Sequence, residues 1–314
     1  MKYLSLFSGI GGFELGIKQG WPLRLGEEGR LSCVGFSEID KYAIQIYEKH
    51  FNHKNYGDIT KINEKELPEF DLLVGGFPCQ SFSIAGKRGG FNDTRGTLFF
   101  DIARILKAKQ PRLLLLENVK GLLSHDQGRT FATIISTLDE LGYDLQWQVL
   151  NSKNFGVPQN RERVFIVGHI RGTSRPKVFP IGHNRQEIDG VSGQHSNTLT
   201  TRYYGGQANG TYVIESELDA QIKQLVGGSQ GNRIYNPEGG LSTTLASQAG
   251  GLGPKTGLYQ IEDMKIRRLT PTECERLQGF PDGWTEGVSD TQRYKTLGNA
   301  VTVNVIRHIA EKLL

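Results

Sequence analysis

Residues 3–17 read YLSLFSGIGGFELGI, and this stretch decides the fold. YLSLF (3–7) has the length and apolar character of a strand, SGIGG is a tight glycine turn, and Phe13, Leu15 and Ile17 continue into a helix. A strand, a glycine turn and a helix form the opening unit of an α/β fold, the point at which such folds hold a ligand. The pattern then repeats. CVGFS (33–37) is a second strand and Lys41 to Phe51 a second helix; DLLVGGF (71–77) precedes a loop and the helix TLFFDIARILK (97–107). RLLLLEN (112–118) is a nearly continuous apolar run, as expected of a strand covered on both faces. A helix over about 129–141 and strands near 146–150 and 164–168 complete the set. Strands alternating with helices predict an α/β fold with a doubly wound, mostly parallel sheet, and ligands at the carboxyl ends of its strands.

The 314 residues suffice for one large domain or two unequal ones. With no long apolar run and no basic-then-apolar leader, the chain reads as cytoplasmic, without a membrane segment. Three cysteines, Cys33, Cys79 and Cys274, lie too far apart for a CxxC metal pair or a disulfide framework, so no metal is expected. The net charge of +4 permits a polyanionic partner without requiring one. From about residue 172 the composition shifts to Gly, Ser, Thr, Asn and Gln, which predicts a smaller, β-rich second domain. The expected division is 1–171 plus 292–314, with 172–291 as the second domain and hinge. Within it, 197–215 and 243–262 share Thr-Leu, Gly-Gly and Gly-x-Tyr-x-Ile-Glu, a weak repeat that reads as two similar turns or as two strand-loop elements on one binding face. RRLTPTECERLQGFPDGW (267–284) contains a helix opening at Thr270-Pro271, with Glu273 in a capping-box position.

FSGIGG (7–12) is neither GxGxxG nor a P-loop, which weakens dinucleotide and triphosphate readings. Glu38, at the end of the second strand, is placed to accept two ribose hydroxyls, and Asp58 to accept from an adenine amino group. Together with the glycine loop they favour an adenosyl ligand with an amino-acid tail, S-adenosyl-L-methionine.

A lone cysteine is usually an inert small hydrophobe. Cys79, however, lies just past an apolar strand at the ligand edge, in the polar loop PCQSFSIAGKRGG. Glu117 in ENV ends the neighbouring strand, with a carboxyl expected to be partly buried and proton-carrying, and Arg161 and Arg163 in QNRER are two apart, so in extended conformation both point to one side. Thiolate, acid and guanidiniums beside a methyl donor fit one reaction. Adding the thiolate to C6 of a cytosine makes C5 nucleophilic; Glu117 would hold N3 and the exocyclic amine, and an arginine O2. The base must be flipped out of the duplex to be reached, and a loop bearing Lys87, Arg88 and Arg95 would close over it.

FSGIGG, GFPCQSFS, ENV, QNRER, RLTPTECERLQGFP and TLGNAV, in this order along nearly the whole chain, resemble the DNA (cytosine-5) methyltransferases of bacterial and phage restriction-modification systems. The resemblance implies a Rossmann-like methyltransferase fold with a target-recognition domain. It implies Cys79 as nucleophile, with Glu117, Arg161 and Arg163 in the cytosine pocket. Phe7, Gly9, Ile10, Gly12, Glu38, Ile39, Asp58, Ile59, Pro78 and Leu98 would line the cofactor site, joined by Asn299, Ala300 and Val301. Gln80, Ser83, Lys87, Arg88 and Arg95, with Gln230, Arg233 and Thr244 from the variable region, are the implied DNA contacts; Arg233 reads equally as a bidentate guanine contact or a phosphate contact. Ala85 stands where some members carry serine. The expected partner is double-stranded DNA, met by a monomer that works alongside a restriction endonuclease. An RNA cytosine methyltransferase is the nearest rival, but the Cys-Phe-Thr stretch of the tRNA-modifying relatives is not found; a catalytically silent DNA-binding protein is the second.

Overall fold

The computed structural model describes residues 1–21, 31–78, 98–173, 176–181, 196–197, 212–215 and 265–314. Cys79, Gln80, Ser83, Lys87, Arg88, Arg95, Gln230, Arg233 and Thr244 lie outside the described residues, as does most of the 197–215 and 243–262 repeat. Two compact units account for the chain: Met1–Leu150 with Glu162–Gly182 and Val305–Leu314, and Asn151–Arg161 with His183–Asn304.

The first unit is built on a six-stranded sheet of order β2-β1-β3-β4-β7-β5, from β1 (Lys2–Leu6), β2 (Ser32–Ser37), β3 (Leu72–Gly76), β4 (Leu113–Val119), β5 (Tyr143–Asn151) and β7 (Glu162–Ile170). β2, β1, β3 and β4 are parallel, and β7 runs antiparallel to β4. Its helices are α1 (Gly12–Gly20), α2 (Lys41–His50), α3 (Leu98–Lys109), α4 (Arg129–Glu140) and the main part of α7 (Val303–Leu313). The mostly parallel α/β architecture is the one expected from the alternating pattern.

Strand alternation explains the core. Leu4, Leu6, Leu73, Leu114, Leu116, Val164 and Ile166 face one side and pack with Phe99, Ile102 and Leu106 of α3 and Ile134 and Leu138 of α4. The intervening Tyr3, Leu72, Val74, Leu113, Leu115, Phe165 and Val167 are buried too, so both faces are covered, which is why RLLLLEN reads as continuously apolar. Gly20 closes α1 against the Arg307 carbonyl of α7, where any Cβ would collide with backbone.

Among the described residues the second unit contains β6 (Gln159–Asn160) paired with β8 (Ser196–Asn197), and β9 (Tyr212–Glu215) antiparallel to β10 (Lys265–Arg268). It also holds α5 (Pro271–Gln278) and α6 (Asp290–Asn299). The capping box at α5 forms as predicted: Thr270 Oγ1 accepts from Glu273 N at 3.2 Å, and Glu273 Oε2 accepts from Thr270 N at 2.6 Å. Further along α5, Glu275 is fully buried; it accepts from Gly283 N at 2.7 Å and Thr285 N at 2.8 Å and pairs with Arg293 at 3.1 Å. These bonds fix the turn that follows the helix.

Candidate active site

At the carboxyl edge of β1 the backbone turns through positive φ at Phe7 (54°), Gly9 (55°) and Gly11 (88°). Left-handed conformations of this kind favour glycine, which accounts for two of the three. Gly9 is open: nothing lies within 4 Å of where a Cβ would stand. Gly11 is closed, with the Phe51 ring filling the corresponding space. Ile10 and Gly12 are buried.

Glu38 directly follows Ser37, the last residue of the neighbouring β2. Its Oε2 accepts from Gly9 N at 2.9 Å, and its Oε1 accepts from Ile39 N and Asp40 N, each at 2.8 Å. The carboxylate thus ties the glycine loop to the start of α2, whose cap is Asp40. Ile39 is 72% exposed, an unusual position for a large apolar side chain. Asp58 reaches the same edge by a device the sequence did not signal. Residues 54–56 form a parallel bridge to β2 through Phe36 N to Lys54 O (2.9 Å) and Tyr56 N to Phe36 O (2.7 Å), a pairing too short to read as a strand. The Thr60 hydroxyl and N–H hold Asp58 below the usual carboxylate range, with Lys61 helping, against a small opposing effect of burial. Ile59 is buried in the core, Leu98 is half-buried at the start of α3, and Pro78 is exposed.

β3 and β4 bring the chemistry together. Gly76 pairs with Glu117 in the parallel register, and a methyl group at Gly76 would stand 3.1 Å from Glu117 Oε2. The other carboxylate oxygen, Oε1, accepts from Arg163 Nε at 3.0 Å, across the antiparallel β4–β7 pairing. The two side chains are 12% and 16% exposed, so the pair is largely withdrawn from water. Burial lowers the Arg163 pKa from its ordinary value, and the Glu117 carboxylate opposes that shift. Asn118, 2% exposed, donates through Nδ2 to the Phe77 carbonyl at 2.9 Å and accepts from Val119 N at 2.8 Å. It anchors the backbone two residues before Cys79. Sequence reasoning quoted the ENV motif for its glutamate and missed this asparagine.

The two arginines of QNRER, expected to point to one side, take different partners. Arg161 falls between β6 and β7, outside either strand, so two-residue alternation does not carry through it. Its side chain is 2% exposed, and Nη2 donates to Gly298 O at 3.2 Å and Ala300 O at 2.8 Å. Around these carbonyls the second unit is dense in buried hydrogen bonds. Gln278 Nε2 donates to Leu297 O at 2.7 Å, Thr302 Oγ1 to Gln278 Oε1 at 2.8 Å, and Gln159 Nε2 to Leu277 O at 2.8 Å. Asn299 is exposed, while Ala300 and Val301 are buried.

The site is thus set by a mostly parallel sheet with a glycine loop at its first strand and an acid withdrawn from water on the strand beside the one that leads to Cys79, and the C-5 cytosine-specific DNA methylase family profile matches residues 1–314. The chain belongs to that family, enzymes that methylate cytosine in DNA. Type II methyltransferase M1.ScrFI of Lactococcus lactis subsp. cremoris is 42% identical over 320 residues, covering 100% of this chain and 78% of its own. Type II methyltransferase M.HhaI of Haemophilus parahaemolyticus is 38% identical over 315 residues, covering 99% and 93%. Among solved structures, DNMT2 of Spodoptera frugiperda shares the fold at a TM-score of 0.69 and 20% identity, covering 99% of each chain. No helix among the described residues is long and apolar enough to cross a membrane.

Proposed function

We propose that the methyl donor is S-adenosyl-L-methionine, held at the carboxyl edge of the first unit. The open cradle at Gly9, the exposed apolar face of Ile39 and the carboxylates of Glu38 and Asp58 form a set suited to an adenosyl group with an amino-acid tail. Glu38 would accept the ribose hydroxyls by exchanging part of its bonding to backbone N–H groups, and Asp58 the adenine amine. Phe7, Pro78 and Leu98 would flank them, and their assignment to the donor, like that of Asn299, Ala300 and Val301, rests on the family resemblance. When bound, the donor supplies a methyl group made electrophilic by its sulfonium.

Cys79 forms the bond to C6 of a flipped cytosine as a thiolate, and the ring electrons move toward N3 and C5. Glu117, in its protonated form, would give its proton to N3 as negative charge develops there and accept from the exocyclic amine, while Arg163 would orient the carboxyl and lie beside O2. After C5 takes the methyl group, a base removes the C5 proton and the thiolate leaves, regenerating free enzyme. Asn118 sets the Phe77 carbonyl and hence the entry of the chain into Cys79. Arg161 we assign to holding the backbone of Gly298 and Ala300 rather than to the base. Lys87, Arg88, Arg95, Gln80 and Ser83 would hold the displaced strand and phosphates, and Gln230, Arg233 and Thr244 the recognition sequence, within a target-recognition region spanning about 172–291. Acting as a monomer in the cytoplasm, the enzyme would protect DNA from a partner restriction endonuclease.

The observation that carries this reading is the secluded Glu117–Arg163 pair beside the strand that runs into Cys79. Duplex DNA carrying 5-fluorocytosine at the target, incubated with donor, is expected to trap a covalent complex that Cys79→Ser does not form. Transfer to RNA with no adduct on any duplex would overturn the substrate. Bisulfite sequencing of DNA from expressing cells reads the site and the base in one experiment.

A further inference from the structure

Behind the glycine loop, α1 carries a carboxyl that the chemistry above leaves unused. Glu14 is 1% exposed, and its Oε1 accepts from the Tyr47 hydroxyl at 3.0 Å. The same hydroxyl lies 2.8 Å from His53 Nδ1. The titratable groups facing Glu14 are Tyr3 of β1, Cys33 of β2, Tyr47 of α2 and, through Tyr47, His53; no cation pairs with it among the described residues. Burial pushes both tyrosines far above their ordinary range and Cys33 up to about 12, and it lowers His53, so these neighbours are neutral near pH 7. Burial also lifts Glu14 to about 7, against the opposing hydrogen bonds of Ser5, its own N–H and Tyr47.

Tyr47 has one hydroxyl proton, and this allows two complete arrangements. With Glu14 ionised, Tyr47 donates to it and the Nδ1–H of His53 donates to Tyr47. When Glu14 is protonated it donates to Tyr47, whose hydroxyl turns to the Nδ1 lone pair of the other histidine tautomer. The carboxyl therefore changes charge without breaking the buried hydrogen bonds. This chain also touches the loop. Tyr47 stacks on Phe36 at 3.9 Å and tilts against Phe51 at 4.9 Å, the ring that packs on Gly11.

A sulfonium donor and its demethylated product differ by one positive charge. An ionised carboxyl in a low-dielectric setting behind the loop discriminates between them, and a neutral one does not. We propose that Glu14, poised by Tyr47 and His53, is a specificity-determining residue that makes the enzyme prefer the cationic donor over the product S-adenosylhomocysteine, increasingly as pH rises. The proposal rests on the reading of the glycine loop as the donor site.

Calorimetric binding of donor and product to the full chain at about pH 6 and about pH 8 tests it, since the two values bracket the Glu14 midpoint near 7. In the wild type the ratio of product Kd to donor Kd is expected to rise on the order of three- to tenfold across that interval. In Glu14→Gln it should stay flat, and comparison with this variant at each pH cancels the ligands' own titration. Tyr47→Phe removes one hydrogen bond to the carboxylate, so the rise should move to higher pH; this variant also serves if Glu14→Gln is unstable. A flat wild-type ratio with both ligands bound, or a rise that survives in Glu14→Gln, overturns the proposal alone. Binding of DNA but of neither ligand at any pH overturns the donor-site reading and the proposal with it.

Discussion

Replacing Glu117 by Gln and Arg163 by Met, singly and together, measures how far the site is withdrawn from water. The atoms lie 3.0 Å apart on side chains 12% and 16% exposed. At an effective dielectric constant of about 20, two unit charges at that distance attract by about 5 kcal/mol, part of which offsets the cost of burying them. Removing either partner strands the other, so each single variant should lose about 3 kcal/mol of stability. Arg163→Met also releases the bond that Nη1 donates to Glu162 O at 2.8 Å, which makes it the worse of the two. Once one charge is gone the second substitution removes a burden, and the double variant should be no less stable than the worse single. The cycle then gives a coupling of about 3 kcal/mol. Urea unfolding followed by circular dichroism, with m checked for constancy, supplies the numbers, and methyl transfer is assayed in parallel. Glu117→Gln should lower kcat by about a hundredfold or more, and the double variant should recover none of that activity. A coupling below about 0.5 kcal/mol would mean an ordinary solvent-screened pair and would refute the secluded electrostatics on which the site depends.

Three further outcomes follow from single contacts. Gly76→Ala puts a methyl 3.1 Å from Glu117 Oε2, so kcat should fall severalfold or more while the urea midpoint moves little; unchanged kcat would show the carboxyl free to shift. Asn118→Ala removes the anchor on the Phe77 carbonyl and leaves a buried acceptor unpaired, which should cost about 1–3 kcal/mol and slow the formation of the Cys79 adduct; trapping at the wild-type rate would refute the positioning role. For Glu14 the fold raises the pKa from 4.5 to about 7 and so favours the neutral form. That contribution is complete below the unfolded value and is lost as pH rises through the folded one. Relative to Glu14→Gln, the wild type should lose about 3 kcal/mol between those limits and level off above them; parallel stability curves would exclude the shift.

Much of the fold was legible because its signals are local. Continuous apolar runs marked β3 and β4, glycine at positive φ marked the turn after β1, and Thr270, Pro271 and Glu273 announced the start of α5 by capping chemistry that needs no distant partner. Glu38 and Glu117 could be assigned to strand ends for the same reason. Asn55 and Tyr56 gave no strand signal, because one bridge to Phe36 is all that brings Asp58 to the sheet edge. Asn118 was hidden inside a motif read for its neighbour.

The sequence alone determined the alternation of strands and helices, the glycine loop and the order of the family's motifs, since periodicity and turn chemistry act over a few residues. Tertiary structure decided the rest. It set the antiparallel run of β7, which carries Arg163 to Glu117, and sent Arg161 instead to the carbonyls of Gly298 and Ala300. It also buried Glu14 against Tyr47, 33 residues away, and so gave an ordinary helix-start glutamate an unusual affinity for its proton. Such outcomes depend on which distant groups share a desolvated space, and no local pattern of residues encodes that.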